Sequence, residues 1–253
     1  MDYSQIAKES RLKCLELVFE AQTSHIGSLM SCADIFAVLF GRIDLDKDKF
    51  ILSAGWKAAM LYYHLWRKGR ITEEELNSYC KEGSKFIGLS EPVHKDIIFA
   101  GGSMGLGFPA AVGFALAKKL KGEEGTIYCL MSDGEMQIGT TWESALIASQ
   151  HQLNNLVVII DANSFQAMGK VEETLKIEPL QEKWGAFGWA SFEVDGHDVE
   201  QFNLALGFEM NKPLVIIART IKGKGVSFFE GNNYWHYRNI DTESYELARQ
   251  ELR

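Results

Sequence analysis

Proline is scarce in this chain, with four in 253 residues, and no low-complexity stretch separates one part from another. That leaves no linker at which to divide it. A chain of this length with 46% hydrophobic residues can bury one full core, so a single domain over residues 1–253 is expected. Long apolar runs are also missing: none approaches the ~18 residues of a membrane-spanning helix. No run of five basic residues occurs and the formal net charge is −8, which argues against a nucleic-acid surface. Cysteines are few. Cys14, Cys32, Cys80 and Cys129 lie far apart with no CxxC pair, a pattern of free thiols in a reducing compartment rather than a disulfide or zinc framework. The start, MDYSQIAKESRLKCLELVF, is charged and amphipathic rather than signal-like. A cytoplasmic protein is the expectation.

What is present is alternation. Residues 4–22 and 31–41 carry apolar residues at three- and four-residue steps and read as helices, with TSHIGSLMS between them as a loop carrying His25 and Gly27. FILSAGW leads as a short strand into a helix, AAMLYYHLWRKG, and ITEEEL starts a small acidic helix. GGSMGLGF is a glycine-rich turn entering a helix to residue 120. Strands follow at TIYCLMS, NLVVIID, 189–194 and PLVIIART, with helices at 140–152, 178–187 and 198–210. Strands apolar throughout, alternating with helices, indicate an α/β fold: a doubly wound parallel sheet with helices on both faces.

Asp133 follows one of these strands and Asn163 the next, thirty positions apart. A strand, a crossover helix and a second parallel strand bring both strand ends to one edge of the sheet, where open α/β sheets bind ligands. A carboxylate, an amide oxygen and a backbone carbonyl make a hard oxygen site suited to Mg²⁺ or Ca²⁺, with phosphate completing the shell. Gly134 and Gly139 let the backbone approach an anion, and helix starts near 104 and 140 offer N–H groups to phosphate. The alternative is turn chemistry, for which Asp and Asn after strands are common.

The sequence around this pair resembles the transketolase family. SDGE, followed after 25 residues by DANSFQ, is similar to the thiamine-diphosphate signature, GDG with a later asparagine. SHIGSLMSCADIFAVLF, LSAGWKAA, GGSMGLGFPAAVGFALAKKL, WGAFGWASFEVDGHD, KPLVIIARTIKGKGVSFFE and WHY resemble further family blocks in the same order, over nearly the whole chain. The resemblance implies the amino-terminal, diphosphate-binding subunit of a split transketolase-like enzyme that transfers a two-carbon unit. Thiamine diphosphate is then the cofactor, with Mg²⁺ (Ca²⁺ also fits) held by Asp133, Asn163 and the Phe165 carbonyl. Gly105, Ser132, Gly134, Glu135, Asn163 and Lys222 are implied in cofactor binding, and His25 and His236 in contacts with substrate or diphosphate. Histidine suits hydrogen bonding to a developing alkoxide and proton transfer near neutral pH. The pyrimidine-binding domain, which supplies a glutamate to the cofactor, is expected on a separate subunit, in an α₂β₂ assembly.

Departures from the family pattern bear on substrate. Trp56 replaces the histidine of SKGH, Ala54 its lysine, and Leu89 the histidine of GHP. Two apolar side chains at the donor end favour a less hydroxylated donor, an acetyl-type unit among them, unless His94 supplies the lost hydrogen bond. Ser132 stands for the first glycine of GDG, which negative φ would tolerate. Ile138 stands for a glutamate expected at the subunit interface, and Tyr237 for a glycine that follows the late histidine. His197 is expected to cap a turn, His64 and His151 to pack or lie on the surface, and Trp142, Trp184 and Trp189 to be core. The KGKG run, Lys222–Gly225, reads as either a loop near diphosphate or a solvated turn. The alternative functions are an E1-like 2-oxoacid decarboxylase component and a non-catalytic scaffold.

Overall fold

The computed structural model describes all residues from Met1 to Arg253. Its helices are α1 (Tyr3–Glu20), α2 (Ile26–Ser31), α3 (Ala33–Arg42), α4 (Ala58–Arg67), α5 (Glu73–Asn77), α6 (Gly107–Lys121), α7 (Gly139–Gln150), α8 (Val171–Thr174), α9 (Leu180–Ala186), α10 (Val199–Leu206) and α11 (Thr242–Glu251). The strands are β1 (Lys49–Leu52), β2 (Ile127–Ser132), β3 (Leu156–Ala162), β4 (Phe165–Gln166), β5 (Gly169–Lys170), β6 (Ala190–Asp195) and β7 (Leu214–Arg219). Five of them form a sheet in the order β1-β2-β3-β7-β6, and every neighbouring pair in it is parallel.

The central strands are apolar because neither face meets water. All seven residues of β3 are buried, and so are the first five of β7. One core cluster lies between the sheet and α1, α3, α4 and α10; a second joins the opposite face to α6, α7 and α9. The expected doubly wound α/β architecture is therefore the one observed. The crossover from β2 to β3 runs through α7 on one face, while that from β6 to β7 runs through α10 on the other. The sheet order accordingly reverses between β3 and β7, the kind of switch point beside which α/β proteins form ligand crevices.

Register sets what emerges there. Ser132 is level with Asp161 across β2 and β3, and Asp161 with Ala218 across β3 and β7. Asp133, Asn163 and Thr220 thus leave adjacent strands at one edge.

Three local features depart from the sequence reading. TSHIGSLMS is not all loop, because Ile26–Ser31 forms α2, every residue of which is buried. The strand read in FILSAGW stops at Leu52, and Gly55–Lys57 makes a 3₁₀ turn into α4. Asp133–Gln137 is a second 3₁₀ turn rather than a plain loop.

Candidate active site

At the reversal of the sheet lies a cavity of about 360 Å³. Asp133, Gly134 and Asn163 form part of its lining, and His25, His236 and Lys57 another part. A second cavity, about 470 Å³, lies on the other side and shares Asp133 and Phe165 with the first. The two oxygen-bearing residues read from the sequence are therefore brought together, and both histidines join them.

Asp133 is buried, at 2% exposure, with no cation paired to it. Its Oδ1 accepts the N–H of Gly134 at 2.9 Å and its Oδ2 that of Ser164 at 2.6 Å. Burial, and then the neighbouring Asp161 carboxylate, push its pKa up to about 7. Asn163 is aimed by its surroundings: Nδ2 donates to Ser31 Oγ at 3.3 Å and reaches Asp161 Oδ2 at 3.4 Å, while Oδ1 accepts the Phe165 N–H. No group of three or more His, Cys, Asp or Glu side chains capable of holding a metal occurs in the structure. The lining holds instead one carboxylate, Asp133, and one amide, Asn163, beside Phe165, and oxygen donors of this kind suit a hard cation whose remaining ligands come from phosphate or water. An uncompensated buried carboxylate beside a glycine turn fits such a cation.

Beneath Asn163 lies an ion pair that the sequence reading missed. Lys57 and Asp161 are both fully buried, and Lys57 Nζ donates to Asp161. Asp161 also accepts from Thr220 Oγ1 and from Ser31 Oγ at 2.6 Å. Burial opposes both charges, but mutual attraction outweighs it: the lysine's pKa is raised and the aspartate's lowered. The signal available in the sequence is an acid closing an otherwise apolar strand, NLVVIID.

Glu135 is implied by the resemblance in cofactor binding. It is fully buried and does not line the cavity. Its carboxylate accepts from Ser53 Oγ, the Gly105 N–H (3.2 Å), the Ser132 N–H (2.8 Å) and Ser132 Oγ (3.3 Å). It therefore ties the end of β1, the glycine turn before α6 and the end of β2 into one unit. Burial outweighs these donors and holds its pKa above the usual glutamate value. Gly105 likewise does not line the cavity, and its N–H is already taken by Glu135. Its φ of +79° is one that glycine adopts without strain, and a Cβ there would overlap Ile138. None of the residues that begin α6 or α7 lines the cavity either. Ser132 does line it, at a φ of −98° that any residue adopts.

The two histidines line the same cavity. His25 caps α2 at a φ of +72°, and its N–H donates to the His236 carbonyl at 2.9 Å. Their rings meet edge to face at 5.0 Å, with Tyr237 edge-on to His25 at 5.4 Å. Burial, then Lys222, lowers the pKa of His25 to about 4 and that of His236 to about 3, so both rings are neutral at pH 7. Lys222 is itself buried behind them, with a pKa lowered by burial to about 8. That removes the solvated-turn reading of KGKG for this lysine.

The remaining expectations resolve simply. Trp56 and Leu89 both line the cavity. His94 does not, and its Nδ1 accepts the Asp96 N–H at 3.2 Å. His197 is a strut rather than a cap: its Nδ1 meets Asp34 at 2.7 Å and its Nε2 accepts the Ile221 N–H at 2.8 Å. His64 is buried among Phe36 and Phe40, and His151 is exposed. Trp184 and Trp189 are core, whereas Trp142 is half-buried and donates to the Met136 carbonyl.

Residues 3–253 match the family model described as "Transketolase, thiamine diphosphate binding domain". The chain belongs to the transketolase family. Among its relatives is an apulose-4-phosphate transketolase subunit of Phocaeicola vulgatus, 33% identical over 97% of this chain and 92% of that protein. Another is a 6-deoxy-6-sulfo-D-fructose transketolase subunit of a Clostridium species, 34% identical over 100% and 96%. The crystal structure of Campylobacter jejuni transketolase superposes with a TM-score of 0.93 at 29% identity, covering all of this chain and 43% of that one. The chain thus spans the length of the separate subunits but less than half of that single-chain transketolase. No helix is long and apolar enough to cross a membrane.

Proposed function

We propose that this chain is the diphosphate-binding subunit of a thiamine-diphosphate-dependent transferase that moves a two-carbon unit from a keto donor to a carbonyl acceptor, working with a companion subunit. The observation that carries the reading is that Asp133, Asn163 and Phe165 line one cavity with His25 and His236, at the reversal of the sheet. Asp133, Asn163 and Phe165 would hold a divalent cation, Mg²⁺ by its usual pairing with phosphates, and Gly134 allows the diphosphate to approach the backbone. When bound, the cofactor supplies the carbanion chemistry of the transfer. This chain's part is to orient it and to manage protons. The neutral imidazole of His236 presents Nε2–H, since its Nδ1 accepts from Lys222, and that donor can stabilise negative charge on a substrate oxygen.

The two relatives above are themselves named as one subunit of a transketolase, which supports a separate companion; the proposal gives that companion the pyrimidine-binding half, in an α₂β₂ assembly with sites between subunits. Trp56 and Leu89 in the cavity lining support an acetyl-type donor, such as pyruvate or a 1-deoxy ketose. The relatives named for apulose 4-phosphate and 6-deoxy-6-sulfo-D-fructose keep a modified sugar open beside it. The test is thiamine diphosphate binding by the chain co-expressed with its companion, with and without Mg²⁺, for wild type and Asp133→Ala. Tight, metal-dependent binding abolished by the substitution is expected. Binding indifferent to both metal and substitution would end this reading.

A further inference from the structure

Gln166 is a cavity-lining residue to which neither the sequence motifs nor the chemistry above gives a part. It lies in the β4–β5 hairpin, paired with Gly169, directly after Phe165. Its Nε2 is buried and has no hydrogen-bond acceptor. A buried amide N–H without a partner is costly, and such groups in folded proteins mark a strained, functional or ligand-binding position.

The neighbours of this amide say what is missing. A Cβ placed on Gly134 would lie 3.3 Å from Gln166 Oε1 and 3.7 Å from Met104 Sδ, so the amide stands over the Asp133–Gly134 turn. Both Asp133 oxygens already accept backbone N–H groups from Gly134 and Ser164, and Asn163 Oδ1 accepts that of Phe165. In the structure no protein atom accepts from Gln166 Nε2, and a bound ligand would supply an acceptor for it. The amide is one residue beyond Phe165 and against the residue following Asp133, the two positions that flank the cation on the reading above. An anion bound to that cation is then within its neighbourhood. A neutral amide suits this place better than lysine, because it donates to phosphate without repelling the cation.

We propose that Gln166 is a diphosphate ligand of this chain: its side-chain amide, turned about χ3, donates from Nε2 to a phosphate oxygen held over Gly134. This deepens the metal–diphosphate reading and rests on it. The test uses the full chain and Mg²⁺-pyrophosphate as the probe, which needs neither substrate nor the pyrimidine half. Binding is titrated calorimetrically for wild type, Gln166→Met and Asp133→Asn, with thermal unfolding of each protein measured free of ligand. Gln166→Met keeps the shape and removes the orphaned donor. It should leave the unliganded melting temperature unchanged or higher while weakening Mg²⁺-pyrophosphate about tenfold or more, as expected for a hydrogen bond to a charged group. Gln166→Glu, placing a carboxylate beside the anion, should weaken it further. Wild-type affinity in Gln166→Met, with binding lost in Asp133→Asn, would overturn the assignment of Gln166 alone. A melting temperature that falls in step with affinity would also overturn it, showing a packing role. No binding by wild type, or undiminished binding by Asp133→Asn, would instead overturn the metal–diphosphate reading beneath it.

Discussion

Lys222 Nζ lies 2.7 Å from His236 Nδ1 and 2.7 Å from Asn233 Oδ1. An ammonium only donates, so His236 Nδ1 must accept and the ring's proton sits on Nε2. One buried lysine thereby fixes the tautomer of a histidine facing the cavity, and its charge is the second cause, after burial, of the low pKa of both His25 and His236. Lys222→Met should raise both imidazole pKa values from about 4 and about 3 while leaving the fold intact. Histidine ring resonances followed through a pH titration check this. Unmoved titrations would mean that burial alone keeps the rings neutral.

Acid should destabilise the protein in a defined window. His64 is buried with Nε2 unpaired, stacked on Phe36, and its pKa is lowered to about 3 by burial, then by Arg67 and Lys68. The unfolded chain takes up that proton near pH 6.5. A depressed folded-state value means that the unfolded state binds more protons below that point. Stability is therefore fully present above about pH 6.5 and is lost as pH falls toward 3, by up to about 1.4 kcal/mol per pH unit for this one group. His25 and His236 act in the same direction, and Asp133, with its pKa pushed up to about 7, acts in the opposite one and offsets part of the loss. Denaturant titrations at pH 7 and pH 5 should show the loss, and His64→Phe should make it shallower. An equal slope in that variant would assign the acid sensitivity elsewhere.

Glu135 accepts four hydrogen bonds from three segments, and truncating it leaves buried donors with nothing to meet. Glu135→Ala should cost roughly 3–5 kcal/mol by chemical denaturation, the range for breaking a buried network. Gln in its place turns an N–H toward donors and should recover only part. A cost below ~1 kcal/mol, the usual size of one hydrogen bond, would mean that water replaces the carboxylate without strain.

The Lys57–Asp161 pair makes a sharper prediction because removing one charge is worse than removing both. Lys57→Met strands Asp161 with full burial and should cost about 3–5 kcal/mol. Lys57→Met with Asp161→Asn removes the stranded charge and should recover most of that in the same unfolding assay. A double variant no more stable than the single would show that the lysine's packing, not its charge, matters.

The strand–helix order is legible in the sequence because β-branched apolar runs such as LVVII and LVIIA are long, and the crossover rule then carries Asp133 and Asn163 to one edge. The helix Ile26–Ser31 is not, because six residues are too few to show a period and its Gly27 and Ser28 read as turn. Lys57 and Asp161 are illegible for another reason: their pairing spans 104 residues of sequence, and only the folded register brings them together. The motif resemblance reaches Glu135 and Gly105 but not their orientation. The backbone of the glycine turn decides that Glu135 faces inward and takes the Gly105 N–H.

Donor choice is where Trp56 and Leu89 can be tested directly. Both line the cavity that holds His25 and His236; Leu89 offers no hydrogen bond to a donor hydroxyl, and Trp56 offers only its indole N–H and no acceptor. Leaving that hydroxyl unpaired costs about 1–3 kcal/mol, which is roughly five- to 150-fold in relative kcat/KM. Trp56→His combined with Leu89→His, assayed with the companion subunit, should therefore shift preference by about that factor from pyruvate or a 1-deoxy ketose toward a hydroxylated ketose phosphate. If wild type already favours the hydroxylated ketose phosphate, the acetyl-type donor is wrong. If the double variant leaves the ratio unmoved, specificity lies in the companion's half of the site rather than at these two positions.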